Sequence, residues 1–182
     1  SKFLNGNSMR LFKGFFIVLA GLFIFITILS LFIPSKLMVT RAVVINAPAG
    51  KVFNEINNLQ NWKHWQPVFI SDSAKIKFNV SVEGISNSCE WDSKGKKNTV
   101  EIKNKSANSI SAILKRTGEN DVQNTISILP LADSNQVQAE WNVLIRLKWY
   151  PWEKFYGIFI EKISGQGYED ALNSLKSYAE NN

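Results

Sequence analysis

The chain has 182 residues, 45% hydrophobic and 20% charged, which is enough apolar content for a buried core and rules out a disordered polyelectrolyte. One cysteine excludes an intrachain disulfide and one histidine excludes a His-rich metal site, so no metal or cofactor is expected. Of the formal charge of +6, residues 1–36 supply +4 through Lys2, Arg10, Lys13 and Lys36, and the remaining +2 is too little for a nucleic-acid-binding domain.

Residues 1–8 form a polar N-terminal tail. Residues 9–35 follow as an anchor, in which Phe15 to Ile33 is an uncharged run of 19 residues, 15 of them Phe, Ile, Leu or Val. As a helix that run spans about 28 Å, close to the roughly 30 Å of a bilayer's hydrocarbon core. At about −0.4 kcal/mol per large apolar residue, insertion is favoured by roughly 6 kcal/mol. Thr27 and Ser30 cost little there, because a helical hydroxyl bonds to a carbonyl one turn back.

A buried core helix would be shorter and would show a polar face. A cleaved signal peptide would end on small residues, whereas this segment exits through Phe32-Ile33-Pro34-Ser35-Lys36. A lipoprotein needs a cysteine just after the run, and Cys89 lies far downstream. The expectation is therefore an uncleaved, single-pass signal anchor with the lipid bilayer as partner. Arg10 and Lys13 favour a cytoplasmic N-terminus and an exported C-terminal domain at a bacterial inner membrane, although Lys36 and Arg41 nearly match them.

Beyond the anchor the period changes from helical to alternating. Met38 to Ile45 predicts a first strand, and Asn46-Ala47-Pro48 opens a helix with Val52, Phe53, Ile56 and Leu59 on one stripe. A short helix or turn carries Trp62 and Trp65 and is expected to stop at Pro67. Period-two rows then run from about Lys75 to Lys148. They include Ile76, Phe78, Val80 and Val82; Cys89 and Trp91; Val100 and Ile102; Ile110, Ala112 and Leu114; and Ile126 with Ile128. The longest row is Val137, Ala139, Trp141, Val143, Ile145 and Leu147. One wet and one apolar face mean an antiparallel sheet that needs a cover.

Trp152 to Glu180 supplies the cover as a long helix. Phe155, Phe159 and Ile163 make one stripe, and Tyr168, Leu172, Leu175 and Ala179 continue it. Between them, Gly165-Gln166-Gly167 is expected to kink or break the helix. The fold class is α+β, with a curved antiparallel sheet around one long C-terminal helix, preceded by one transmembrane helix.

These residues resemble the START-like, polyketide-cyclase-type helix-grip domains known as SRPBCC. The likeness is carried by Val43-Val44-Ile45-Asn46-Ala47-Pro48, by Asn58-Leu59-Gln60-Asn61-Trp62 through Pro67, by Glu90-Trp91, and by Val137 to Trp141. It ends with Gly167-Tyr168-Glu169-Asp170-Ala171-Leu172 and covers residues 38–180. The resemblance implies a sheet gripping the helix around a hollow core. Relatives use such a hollow for lipids, sterols, polyketides or other apolar molecules, and a few of them catalyse cyclisation or hydrolysis.

Nucleophilic catalysis needs a base beside the nucleophile, and the lone His64 is tied by no motif to a serine or to Cys89. Glu90, Asp92 and Glu140 alternate against the apolar rows and belong in water, while Lys94-Gly95-Lys96-Lys97 reads as a solvated turn. Arg116 extends the row ending at Leu114, either at a cavity mouth holding an acidic ligand head or simply at a strand end. Trp62, Trp65, Trp149 and Trp152 lie near turns and are expected to seal core edges. Trp91 and Trp141 face inward and, with Leu114, Phe155, Phe159 and Tyr168, either line an apolar pocket or fill the core.

Three functions compete. The first is a membrane-tethered module binding a hydrophobic or lipid-like small molecule. The second is a cyclase- or hydrolase-type enzyme using a pocket carboxylate or Arg116. The third is a non-catalytic interaction module docking on a membrane-protein partner.

Overall fold

A computed structural model describes residues 6–71, 75–80, 86–132 and 135–182. Helix α1 (Gly6–Leu31) is followed by β1 (Lys36–Ile45), α2 (Ala49–Asn57), a 3₁₀ turn (Leu59–His64) and α3 (Pro67–Ser71). Strands β2 (Lys77–Val80), β3 (Ser86–Ser93), β4 (Lys96–Lys105), β5 (Ser109–Arg116), β6 (Val122–Pro130) and β7 (Val137–Arg146) precede the closing helix α4 (Pro151–Asn181).

The seven strands form one antiparallel sheet in the order β1-β7-β6-β5-β4-β3-β2. It is a meander whose last strand takes the first as its neighbour. Register shifts at Asn79/Val80 and at Ile102/Asn104 bend β2 and β4, the kind of local irregularity that curves a sheet. The alternating rows from β3 to β7 lie on the buried face of the sheet, where α4 packs on β1 and β7, α2 on β5 and β6, and the 3₁₀ turn on β3: Cys89, Trp91, Val100, Ile102, Ile110, Ala112, Ile126, Ile128, Ala139, Trp141 and Val143 are buried. Val82 lies outside the described residues, and Val80 is exposed.

Ala171, Leu172, Leu175 and Ala179 of α4 complete the core. The end of α4 is tied to the end of β1 by Glu180, whose carboxylate accepts from the Asn46 backbone N–H at 2.7 Å and side-chain amide at 2.9 Å. Pro48 sits just outside α2 as its N-cap rather than within the first turn. Pro67 starts a helix instead of stopping one, since its fixed φ suits a first helical position.

Helix α4 does not break at its glycines. A methyl on Gly165 would overlap the guanidinium of Arg41, and one on Gly157 would overlap Leu147. Both glycines thus serve close approach between helix and sheet. The backbone penalty of about 1 kcal/mol per glycine is too small to break a helix packed along much of its length.

Helix α1 is long and apolar enough to cross a membrane, by length and composition. Gly6 to Ser8 of the polar tail already belong to it, and residues 1–5 lie outside the described residues. Thr27 Oγ1 donates to the Phe23 carbonyl at 2.8 Å and Ser30 Oγ to that of Thr27 at 2.7 Å, so both hydroxyls are satisfied within the helix. At the far end, buried Lys154 of α4 donates to the Ile33 carbonyl and to Ser35 Oγ, each at 2.7 Å. An ammonium group at a helix C-terminus is also favoured by the helix dipole.

Candidate functional site

The apolar face of the sheet does not close fully beneath α4. A partly open cavity of about 560 Å³ remains, a size typical of small-molecule sites. Strand register explains its walls. Trp91, Asn98 and Arg116 face one another across β3, β4 and β5, and one step inward Val100 pairs with Leu114. A further step in, Ala112 opposes Asn124 of β6. The roof is α4, through Ser164, Gly167 and Tyr168, and one flank is Trp62, Gln66 and Phe69.

The inner end is aromatic. Ring centroids of Trp141 lie 5.1 Å from Tyr168 and 6.2 Å from Trp62, and Phe69 sits 5.6 Å from Trp91. Two buried indole N–H groups at this end have partners: Trp141 donates to Asn124 Oδ1 at 3.0 Å and Trp62 to the Ile56 carbonyl at 3.0 Å. These bonds fix the rings, so the walls are set by hydrogen bonding as well as by packing.

The outer end is charged. Lys94, Lys96, Arg116 and Glu119 belong to the lining. Glu119 takes Lys96 at 2.8 Å and Arg116 at 3.7 Å. The hydrogen bond from Lys96 chiefly holds its carboxyl below the usual range, and Arg116 adds to the effect. Three cations against one carboxylate leave the mouth positive. Burial pushes the Tyr168 phenol up, and the charge of Arg116 offsets part of that rise.

Among the residues singled out from sequence, Trp91, Leu114, Arg116, Trp141 and Tyr168 lie on the lining, and Phe155 and Phe159 do not. On an unbroken helix of about 100° per residue, the nine residues from Phe159 to Tyr168 put the two side chains on opposite faces. The side chain of Ile163, from the same stripe, lies outside the described residues. Trp62 and Trp65 are buried, but Trp149 and Trp152 are exposed and seal nothing. Lys94 to Lys97 are exposed, as expected of a solvated turn, and Lys94 and Lys96 also form part of the rim. Glu119, Asn98 and Asn124 were not singled out. For the two asparagines a signal existed, because each stands two residues before an apolar row that faces inward.

The other chemical candidates lie elsewhere. His64 Nδ1 is 3.0 Å from Glu55 Oε2 and its ring stacks on Tyr178 at 4.9 Å. Burial raises the Cys89 thiol to about 12, which removes its nucleophilic form at neutral pH. Glu90 pairs with Lys97 at 2.7 Å and Asp92 is exposed, while Glu140 accepts from the Asn142 amide; none of the three lines the cavity.

No family model matches the sequence, and no curated protein matches it. Solved structures do. A START superfamily protein from Mycobacterium smegmatis aligns at 18% identity and TM-score 0.60, over 79% of this chain and 97% of its own. The Zhui aromatase/cyclase from Streptomyces sp. R1128 aligns at 14% identity and TM-score 0.59, over 80% and 94%. A protein from Nitrosospira multiformis gives 16% and 0.58, over 80% and 97%. At such identities the likeness is one of fold, and that fold is the START-like helix grip.

Proposed function

We propose that the protein is a membrane-anchored carrier or sensor of a hydrophobic, lipid-like small molecule with an anionic end. The observation that carries this reading is the gradient within one cavity, from the rings of Trp141, Trp62 and Tyr168 to the cations Lys94, Lys96 and Arg116. An amphiphile fits that gradient tail-first, with its head against the guanidinium, the group best suited to a carboxylate or phosphate.

Position supports the same reading. Leu114 is level with Val122, which pairs with Ile145, which pairs with Leu37. The cationic mouth beyond Leu114 and the exit of α1 before Leu37 therefore occupy one edge of the sheet. The Asn120 amide donates to the Arg146 carbonyl at 2.7 Å and joins the Glu119 turn to that edge. With α1 across a bilayer, the mouth stays at the lipid surface from which an amphiphile would enter. Arg10 and Lys13 before the span favour the exported side for the domain.

A cyclase-type enzyme is the second reading, favoured by Arg116 and Tyr168 in one cavity and by the neighbour named an aromatase/cyclase. It loses Glu90, Asp92 and Glu140, and Glu119 is held ionised by Lys96 and is thus a poor general acid.

Titration of the full chain in nanodiscs with a brominated fatty acid, in a Trp149→Phe, Trp152→Phe background that leaves only the buried tryptophans, tests the proposal through their quenching. Saturable quenching is expected, abolished in Ala112→Phe, whose ring blocks the path between the aromatic end and the cationic mouth. Arg116→Gln should weaken binding about tenfold for the acid but not for the matching brominated alcohol. Quenching equal in wild type and Ala112→Phe would refute the cavity as the site.

A further inference from the structure

One stripe of α4 changes character along its length. Trp152, Tyr156 and Phe159, spaced by four and three residues, are 63%, 52% and 59% exposed. They lie opposite the helix's packed side, where Lys154, Gly157 and Ile160 are buried. Continued past Gly165, the same outward stripe becomes Gln166, Asp170 and Ser177, all exposed and polar. The first three turns of α4 therefore present an apolar stripe away from the packed side, where the rest of the helix is polar in the ordinary amphipathic way. Trp149, just before the helix, is 76% exposed.

The position of this stripe singles out its occupant. Lys154 lies between Trp152 and Tyr156 in sequence and bonds to Ile33 and Ser35, the residues that end the apolar anchor. A second link, from the Leu147 N–H to the Ser35 carbonyl at 2.9 Å, holds the segment before α4 to the same point. With one helical turn rising about 5.4 Å, Trp152, Tyr156 and Phe159 all lie within two turns of the anchor's exit. Tryptophan and tyrosine are the residues that settle at the level of lipid headgroups, their rings in the apolar boundary and their polar edges in water. Lys36, Lys148 and Lys162 are sequence neighbours of this region that suit an anionic headgroup layer.

From this geometry we infer that the segment from Trp149 to Phe159 is a second membrane contact, lying in the interface of the bilayer that α1 crosses. The inference rests on the reading of α1 as an anchor. It adds a fixed orientation: one pivot at Ser35 leaves a domain free to swing, whereas a helix face seated in the headgroups holds the cavity edge toward the lipid. Nothing in it depends on what the cavity binds.

The test uses the full chain in nanodiscs of phosphatidylcholine and phosphatidylglycerol, with an environment-sensitive dye on single cysteines in a Cys89→Ala background. Dyes are placed by Ile24→Cys in α1, by Tyr156→Cys and Phe159→Cys on the aromatic stripe, and by Ser177→Cys on its polar continuation. The expected result is deep lipid-borne quenching at 24, shallow headgroup-level quenching at 156 and 159, and access only to an aqueous quencher at 177. At 156 and 159 shallow quenching should exceed that at 177 by about twofold or more. Dyes at 156 and 159 that stay open to water while 24 is quenched by lipid would overturn the inference and leave the anchor standing. A dye at 24 open to water would remove the anchor and the inference together. Dyes at 156 and 159 shielded from water yet untouched by lipid-borne quenchers would show that protein, a second copy included, covers the stripe, and would also overturn it.

Discussion

Lys94 holds a left-handed backbone angle, φ 51°, next to Gly95 at φ 73°, in the two-residue turn between β3 and β4. Asparagine or glycine adopts that conformation more readily than lysine, whose Cβ crowds the following carbonyl. A lysine kept there, at the cavity rim, costs the turn stability. Lys94→Asn is expected to stabilise the fold by about 0.5–1 kcal/mol in thermal melts. The same change should weaken an anionic amphiphile by about twofold to fivefold, as fits one exposed charge. Cys89 gives a pH-dependent counterpart. Its thiol is raised from 9.0 to about 12 by burial, so the unfolded chain loses that proton first as pH rises. The stability this contributes is intact below pH 9 and declines between there and about 12, by up to about 1.4 kcal/mol per pH unit. Cys89→Ala should flatten that part of the alkaline stability curve relative to wild type; identical curves would mean the thiol titrates normally in the fold.

Helix α4 shows where periodicity in the sequence stops being informative. The apolar stripes on either side of Gly165 were legible, and so was the cover they supply to the sheet. What was not legible was their phase. A break at the glycines would have let Phe159 and Tyr168 share a face, whereas the unbroken helix sets them half a turn apart and brings Gly165 against the guanidinium of Arg41. This separates two glycines that look alike in sequence. A methyl on Gly167 meets nothing within 4 Å, so Gly167→Ala should stabilise by about 0.5–1 kcal/mol through helix propensity. Gly165→Ala must displace the Arg41 tip and should be no more stable than wild type. Equal stabilisation of both in denaturant titrations would refute a role for Gly165 in close approach. The link to α1 is open to a similar test. Lys154→Met keeps the volume and loses both bonds to Ile33 and Ser35. A loss of about 1.5–3 kcal/mol is expected, with faster proteolysis near Pro34.

For the whole molecule, the alternating rows and the long terminal segment were sufficient to read an antiparallel sheet closed by a helix, because burial of one face imposes period two on every strand. The same rows put Trp91, Leu114 and Trp141 on the inward face, but not whether they filled the core or left a hollow. Its rim did not. Glu119 comes from a turn, and Lys94 and Lys96 flank another, and local charge balance says nothing about which turns meet at one sheet edge. The outward aromatics Trp149 and Trp152 were legible as bulky rings but not as exposed ones, since a ring sealing a core and a ring facing outward obey the same pattern. Function as a carrier or sensor requires that the cavity hold an amphiphile. Native mass spectrometry of the full chain released from nanodiscs tests this directly, after addition of one equivalent of a long-chain fatty acid. A one-to-one adduct in wild type, absent in Ala112→Phe, is the predicted result. No adduct in wild type, or adducts of equal abundance in both, would contradict it.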